Sequence, residues 1–166
     1  MANIAPKIIQ LEADIAAAPQ LVEADFAEVA ARGFRSVVNI RPDGEALDQL
    51  PSVQAKRAAE RQGLTFRHLP VMSLNATDDD VVDDFARLMD DLPGPILFYC
   101  GSATRCTTLW TQAAAPRIGV DAALAVARET GHDLDFLRET IEERVDWLND
   151  TTSARVPAAL AASAAG

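Results

Sequence analysis

Lysine is almost missing: among 15 cationic side chains in 166 residues only Lys7 and Lys56 are lysine, and the other thirteen are arginine. Cations of any kind are outnumbered by 25 Asp and Glu, giving a net charge of −10. Nucleic acid is thereby excluded as a main partner, because phosphate backbones need clustered cations. Only two cysteines occur, Cys100 and Cys106, six positions apart, which rules out the disulfide framework of a small secreted fold. No apolar run approaches the ~20 residues needed to span a bilayer. The first residues, Met1-Ala-Asn-Ile-Ala-Pro-Lys7, lack the apolar stretch of a signal peptide. The expectation is a soluble cytoplasmic protein with no membrane partner and two free thiols.

Aromatic residues make up 5% of the chain, but hydrophobic residues reach 49% with 24% charged, enough for a packed core. The length suits one domain. We place it at residues 1–150, followed by an Ala-rich tail, 151–166, expected to be flexible or a short helix. There is no internal repeat.

One or two short strands fit between Lys7 and Leu21. After Pro19 a helical pattern carries Phe26, Val29 and Ala30 and stops at Gly33. Arg35–Arg41 reads as a buried strand, and Pro42-Asp43-Gly44 as a turn. A helix from Pro51 to Gln62 and a strand from Thr65 to Val71 follow. Thr77 is the expected N-cap of a helix bearing Val81, Phe85, Leu88, Met89 and Leu92. Beyond Pro93-Gly94-Pro95, Ile96–Cys100 is an uninterrupted apolar strand. Thr104–Ala115 is then helical, with Pro116 as its stop, and further helices lie near 121–130 and 135–148. Strands alternating with helices specify a parallel sheet covered on both faces.

The chemistry concentrates at Cys100-Gly-Ser-Ala-Thr-Arg105-Cys106. Ligands of parallel α/β sheets bind beyond the carboxyl ends of the strands. Cys100 lies at such an end, where small residues let backbone N–H groups converge and a helix begins. Helix dipole and amides both favour a thiolate. Arg105 adds a permanent cation whose planar fork matches two oxygens of a tetrahedral anion. The plainer alternative is a buried structural cysteine closing a core strand.

These residues resemble the phosphatase-like domain of the β-lactamase-hydrolase-like proteins, a bacterial family of the protein tyrosine phosphatase superfamily. The resemblance runs through Pro19-Gln-Leu, Gly33–Glu45, Gly63–Val71, Pro93–Cys100 and the Thr104-Arg105-Cys106 loop into Leu109-Trp110, covering about residues 8–142. It implies a three-layer α/β tyrosine-phosphatase-like fold with a short parallel four-stranded sheet flanked by helices. It also implies Cys100 as nucleophile, Arg105 as its anion-binding partner, and Gly101, Ser102, Ala103 and Thr104 as the substrate-binding loop.

Departures from the family pattern are informative. The family loop usually reads Cys-Arg-Ser/Thr-Gly-Thr-Arg, so Gly101 replaces an arginine and Ala103 a glycine. Ala103 is penalised if its φ is positive. Four residues separate Cys100 from Arg105 where tyrosine phosphatases have five, which is a rhodanese-like spacing. Met72 and Ser73 stand where the general acid is expected, and neither can serve. Asp43, at the end of the neighbouring strand, is the substitute acid, or simply a turn residue. Arg41 could contact a substrate anion, or pair with Glu45 or Asp43. Cys106 is a resolving thiol for Cys100, a weak stand-in for a hydroxyl, or a small buried residue; Thr107 is the nearest hydroxyl.

The aspartates from Asp78 to Asp91 lack the glycine and terminal glutamate of a calcium loop. His68 and His132 have no ligand-spaced companion, and Trp110 and Trp147 read as core or helix-packing residues. No metal or cofactor is expected. The expected function is a cysteine-dependent, phosphatase-like hydrolase of a small anionic or phosphorylated substrate. A sulfurtransferase acting on persulfidated species is the first alternative, and a catalytically weak anion-binding or regulatory domain the second. The apolar faces of the last two helices could serve a homodimer.

Overall fold

Short β-branched and alanine-rich runs build the sheet, and alternation along them decides which side chains meet which helices. The structure, a computed structural model, describes residues 4–154. Its strands are β1 (Ile9–Glu12), β2 (Ile15–Ala18), β3 (Ser36–Asn39), β4 (Thr65–His68) and β5 (Ile96–Tyr99). The helices are α1 (Asp25–Ala31), α2 (Ser52–Arg61), α3 (Asp79–Asp91), α4 (Thr104–Ile118), α5 (Val120–Glu129) and α6 (Arg138–Ala154). Ser73–Asn75 and Asp135–Leu137 are single 3₁₀ turns.

The sheet order is β1-β2-β5-β3-β4. The four expected parallel strands are present, but β1 adds a fifth, antiparallel to β2. The sheet is therefore mixed rather than wholly parallel. A hairpin turning at Ala13-Asp14 is too short for a crossover, so its two strands must run oppositely. β5 lies in the centre, in register with β2 and β3 along its whole length.

Period-two alternation sorts the core. Ile96, Phe98 and Cys100 join Val38, Ile40 and Ala17 under α3 and α4. Leu97 and Tyr99 join Val37, Ala16 and Ala18 under α1 and α2. Phe98 stacks on Phe85 of α3 with ring centroids 4.2 Å apart. A third cluster, including Ala115, Leu124 and Ile141, ties α4 to α5 and α6. Trp110 is wholly buried and its Nε1 donates to Glu12 Oε1 at 2.8 Å, anchoring α4 to the β1 edge.

Several expected boundaries move for identifiable reasons. β4 stops at His68 because Pro70 cannot donate to the ladder, although Leu69 N and Val71 N still bond across to Asn39 O and Ile40 O. The α3 N-cap position is Asp78, not Thr77, and Asp78 accepts from Asn75 Nδ2 instead of capping the helix. Pro116 does not end α4. The helix runs to Ile118 and stops at Gly119, whose φ is 94°. A proline removes one donor, and packing of Ala115 and Ile118 in the third cluster outweighs it. Trp147, expected as a core or helix-packing residue, is 58% exposed on α6. That helix continues to Ala154, past the boundary drawn at residue 150, and the remainder of the tail, 155–166, lies outside the described residues. No helix among the described residues is long and apolar enough to cross a membrane.

Candidate active site

β5 delivers Cys100 to the α3–α4 side of the sheet, and the chain must then turn from strand into helix within three residues. The turn is made at Ala103, which takes the left-handed conformation (φ 72°, ψ −7°) as the N-cap residue of α4. For a residue with a Cβ this costs about 1–2 kcal/mol. The methyl group is wholly buried in the core beside Cys100 and Cys106, which offsets part of that cost. Neighbouring chain braces the loop: Gln20 N donates to Gly101 O at 3.3 Å, and Pro19 forms a bridge with Ser102. The hydroxyls of Ser102 and Thr104 are 3.0 Å apart.

Cys100 is wholly buried, yet its thiol is lowered to about 6. The largest cause is a hydrogen bond from the Cys106 thiol. Burial opposes it, and the backbone N–H groups of Cys106 and Ser102 and the charge of Arg105 add to the lowering. Cys106 is pushed well above the ordinary thiol value, first by burial and then by Cys100. The two thiols are thus pushed in opposite directions, Cys100 toward the thiolate and Cys106 toward the thiol. Cys106 is wholly buried in the same cluster as Cys100.

Arg105 is 12% exposed at the side chain and fully engaged. Its Nη1 and Nη2 each donate to Glu45 at 2.8 Å, and Nη1 also donates to Val71 O at 3.0 Å. Arg41 joins the same carboxylate, with Nε donating to Glu45 Oε1 at 2.9 Å, and its Nη1 donates to Gln20 Oε1 at 3.1 Å. Arg105 and Arg41 hold the Glu45 carboxyl below its usual range. Of the pairings open to Arg41, it takes Glu45. Its backbone is held too: Arg41 N donates to Asn39 Oδ1, and Arg41 O contacts His68 Nε2.

The glycine at position 101 explains how Arg41 comes so near. A Cβ built there would meet Arg105 Nη2 at 3.3 Å and Arg41 Nε at 3.4 Å. The residue that replaces the loop arginine therefore admits a different one, supplied by the loop after β3.

Asp43, expected as the substitute acid or a turn residue, is bound to the start of α2. Its carboxylate accepts from Ser52 N at 2.8 Å and Ser52 Oγ at 2.6 Å, closing the N-terminus of α2. The Ser52 bond is the main cause of its lowered pKa, opposite to what a proton donor near neutral pH requires.

Above the loop opens a cleft of about 490 Å³. Arg41, Gly101, Ser102, Thr104 and Arg105 line it, along with the hydroxyl-bearing Ser73, Thr77 and Thr108. Ala76, Phe136 and Leu137 give it an apolar portion, with Phe136 78% exposed at the rim. Sequence reasoning misses Thr77, Thr108 and Phe136, which reach the site only through packing of α3, α4 and the turn before α6. The joint grip on Glu45 does carry a local signal, the i, i+4 spacing of Arg41 and Glu45.

A family model described as the beta-lactamase hydrolase-like protein, phosphatase-like domain, matches residues 8–117. A beta-lactamase hydrolase-like protein of Agrobacterium fabrum is 34% identical over 104 residues, 63% of this chain and 24% of that protein. One from Xylella fastidiosa is 32% identical over 130 residues, 77% of this chain and 30% of that protein. The chain thus spans less than a third of the length of these curated relatives. A crystal structure from Neisseria meningitidis Z2491, provisionally assigned as a phosphatase, is similar with a TM-score of 0.73 and 31% identity. It covers 82% of this chain and 97% of its own. Kinase associated phosphatase shares the fold at TM-score 0.68 and 12% identity, over 93% of this chain and 99% of its own.

Proposed function

The chain belongs to the family of phosphatase-like domains of beta-lactamase hydrolase-like proteins, and from that premise we propose that it is a cysteine-dependent phosphatase-like hydrolase. Cys100 attacks phosphorus as the thiolate, an S–P bond forms, and the P–O bond to the leaving group breaks. Arg105 and the loop N–H groups bind the phosphoryl oxygens, which carry more charge in the transition state than before it. Water then attacks the cysteinyl-phosphate, releasing phosphate and restoring the thiolate. Arg41 adds a second positive charge at the loop. For the anion to enter, the Glu45 carboxylate must give up its hold on the guanidiniums.

The observation that carries this reading is the placement of Cys100 at the end of the central strand, running into a tight loop whose cleft is lined by two arginines, Arg105 and Arg41. A structural cysteine closing a core strand has no need of two guanidiniums at the loop that follows it. The test is release of 4-nitrophenol from 4-nitrophenyl phosphate by the wild-type protein and by Cys100→Ser. Activity that is lost in the variant is the expected result, and equal rates overturn the reading. The four-residue span from Cys100 to Arg105 favours sulfur transfer as a second reading. Cys100-dependent thiocyanate formation from thiosulfate and cyanide, without phosphate release, would establish that alternative instead.

A further inference from the structure

Among the described residues, the cleft pairs two cations with a lining that includes no carboxylate side chain. Three segments contribute its rim, residues 41–45, 73–79 and 133–137, and every carboxylate on them already accepts a hydrogen bond. Glu45 is held by Arg105 and Arg41, and Asp43 by Ser52. Asp78 accepts from Asn75, Asp79 from Arg144, Asp133 from the backbone of Asp135, and Asp135 from Arg128. None of the six lines the cleft, whose polar wall beyond the arginines consists of hydroxyls. A hydroxyl is too weak an acid to protonate a departing alkoxide at neutral pH.

Arg41 and Arg105, in contrast, converge. Both reach the same oxygen of Glu45, at 2.9 Å and 2.8 Å, and both approach the position a Cβ on Gly101 would occupy. A guanidinium gives up no proton in proteins but stabilises negative charge placed against it. With Arg105 on the transferred phosphoryl group, Arg41 is the cation adjacent to it.

We propose that this site acts on phosphoric anhydrides, in which the transferred phosphoryl group is joined to a second phosphoryl or to an acyl group, and that Arg41 receives the charge of the departing anion. The inference rests on the hydrolase reading above. In the first step the Cys100 Sγ–P bond forms as the P–O(anhydride) bond breaks. The electron pair leaves on oxygen as a phosphate or carboxylate, so no acid is needed. In the second step water attacks phosphorus, the S–P pair returns to Cys100, and the water proton passes to the phosphate product or to solvent. The chemistry replaces a proton donor with a fixed cation.

The experiment compares kcat/KM of the full chain for inorganic pyrophosphate, acetyl phosphate, 4-nitrophenyl phosphate, phenyl phosphate and glycerol 2-phosphate, with spontaneous hydrolysis subtracted. Without a positioned acid, glycerol 2-phosphate should fall below 4-nitrophenyl phosphate by roughly the 10²–10⁴-fold that general acid catalysis supplies, and phenyl phosphate should lie between them. Pyrophosphate and acetyl phosphate should match or exceed 4-nitrophenyl phosphate. Arg41→Gln should lower the anhydrides on the order of 10²-fold, the scale of one lost transition-state donor, and lower 4-nitrophenyl phosphate less. Arg41→Lys, which keeps the charge, should restore much of the difference, a pattern that loss of folding would not produce. A flat response to leaving group, or an equal loss on all substrates in Arg41→Gln, overturns this inference alone. No turnover of any substrate overturns the hydrolase reading and this inference with it.

Discussion

Glu45 holds Arg105 through two parallel hydrogen bonds of 2.8 Å, the fork-on-fork geometry by which a guanidinium recognises an oxyanion. The carboxylate is an internal occupant of the group expected to bind substrate. Each guanidinium keeps another anchor, Val71 O for Arg105 and Gln20 Oε1 for Arg41.

Glu45→Gln should therefore leave the arginines in place while removing the competing charge. Inorganic phosphate should bind several-fold more tightly to the variant, measured by calorimetry, with a steeper dependence on salt. Weaker binding would mean that Glu45 chiefly positions the guanidiniums.

The same ion pair makes a statement about acid stability. Glu45 is depressed in the folded state, so its contribution is present above the ordinary Glu range and is lost as pH falls through the depressed value. Thermal midpoints of wild type and Glu45→Gln should converge on acidification from neutral pH. A gap that widens instead contradicts the pairing.

Cys106→Ala removes the donor that most strongly lowers Cys100. A hydrogen bond to a charged group contributes ~1.5–3 kcal/mol, so the Cys100 transition should move up by roughly one to two pH units. Thiolate ultraviolet absorbance against pH measures this without requiring access to the buried sulfur. In wild type the signal should appear through about pH 6, and Cys106→Ser should remain close to it. Unchanged midpoints in Cys106→Ala would remove Cys106 from the site.

Gly101→Ala places a methyl group 3.3–3.4 Å from the tips of Arg105 and Arg41. Both are ends of flexible side chains, and the Gly101 φ is not among the positive ones. Stability should change by less than about 1 kcal/mol, while kcat/KM for 4-nitrophenyl phosphate falls because Arg41 is pushed from the loop. Undiminished kcat/KM would show that the close approach of Arg41 is incidental.

Asp43→Ala should cost about 1 kcal/mol of stability, the worth of a helix N-terminal cap, read from denaturant unfolding. Its pH–rate profile should keep its alkaline side. Disappearance of an alkaline limb in the variant would return Asp43 to the acid role.

The position of Cys100 follows from local pattern. An apolar run as short as Ile96–Tyr99, ending against Gly101, Ser102 and Ala103, leaves little choice but a central strand feeding a tight turn. Alternation then fixes the face of the sheet. Likewise the penalty attached to Ala103 can be anticipated, because a strand-to-helix turn this tight needs a positive φ. Asp43 is different: Pro42-Asp43-Gly44 looks the same whether the carboxylate aims at the loop or at α2, and Ser52, nine residues later, decides. The apolar wall at Phe136 depends on how the last helices return over α4. No periodicity near Cys100 encodes that.

The most direct measurement is rapid quenching of wild-type protein mixed with 4-nitrophenyl phosphate, followed by peptide mass spectrometry. A phosphoryl group should appear on Cys100 before steady-state phosphate release and be absent from Cys100→Ser. Turnover that proceeds without a phosphoryl group on Cys100, or with one on another residue, would contradict it.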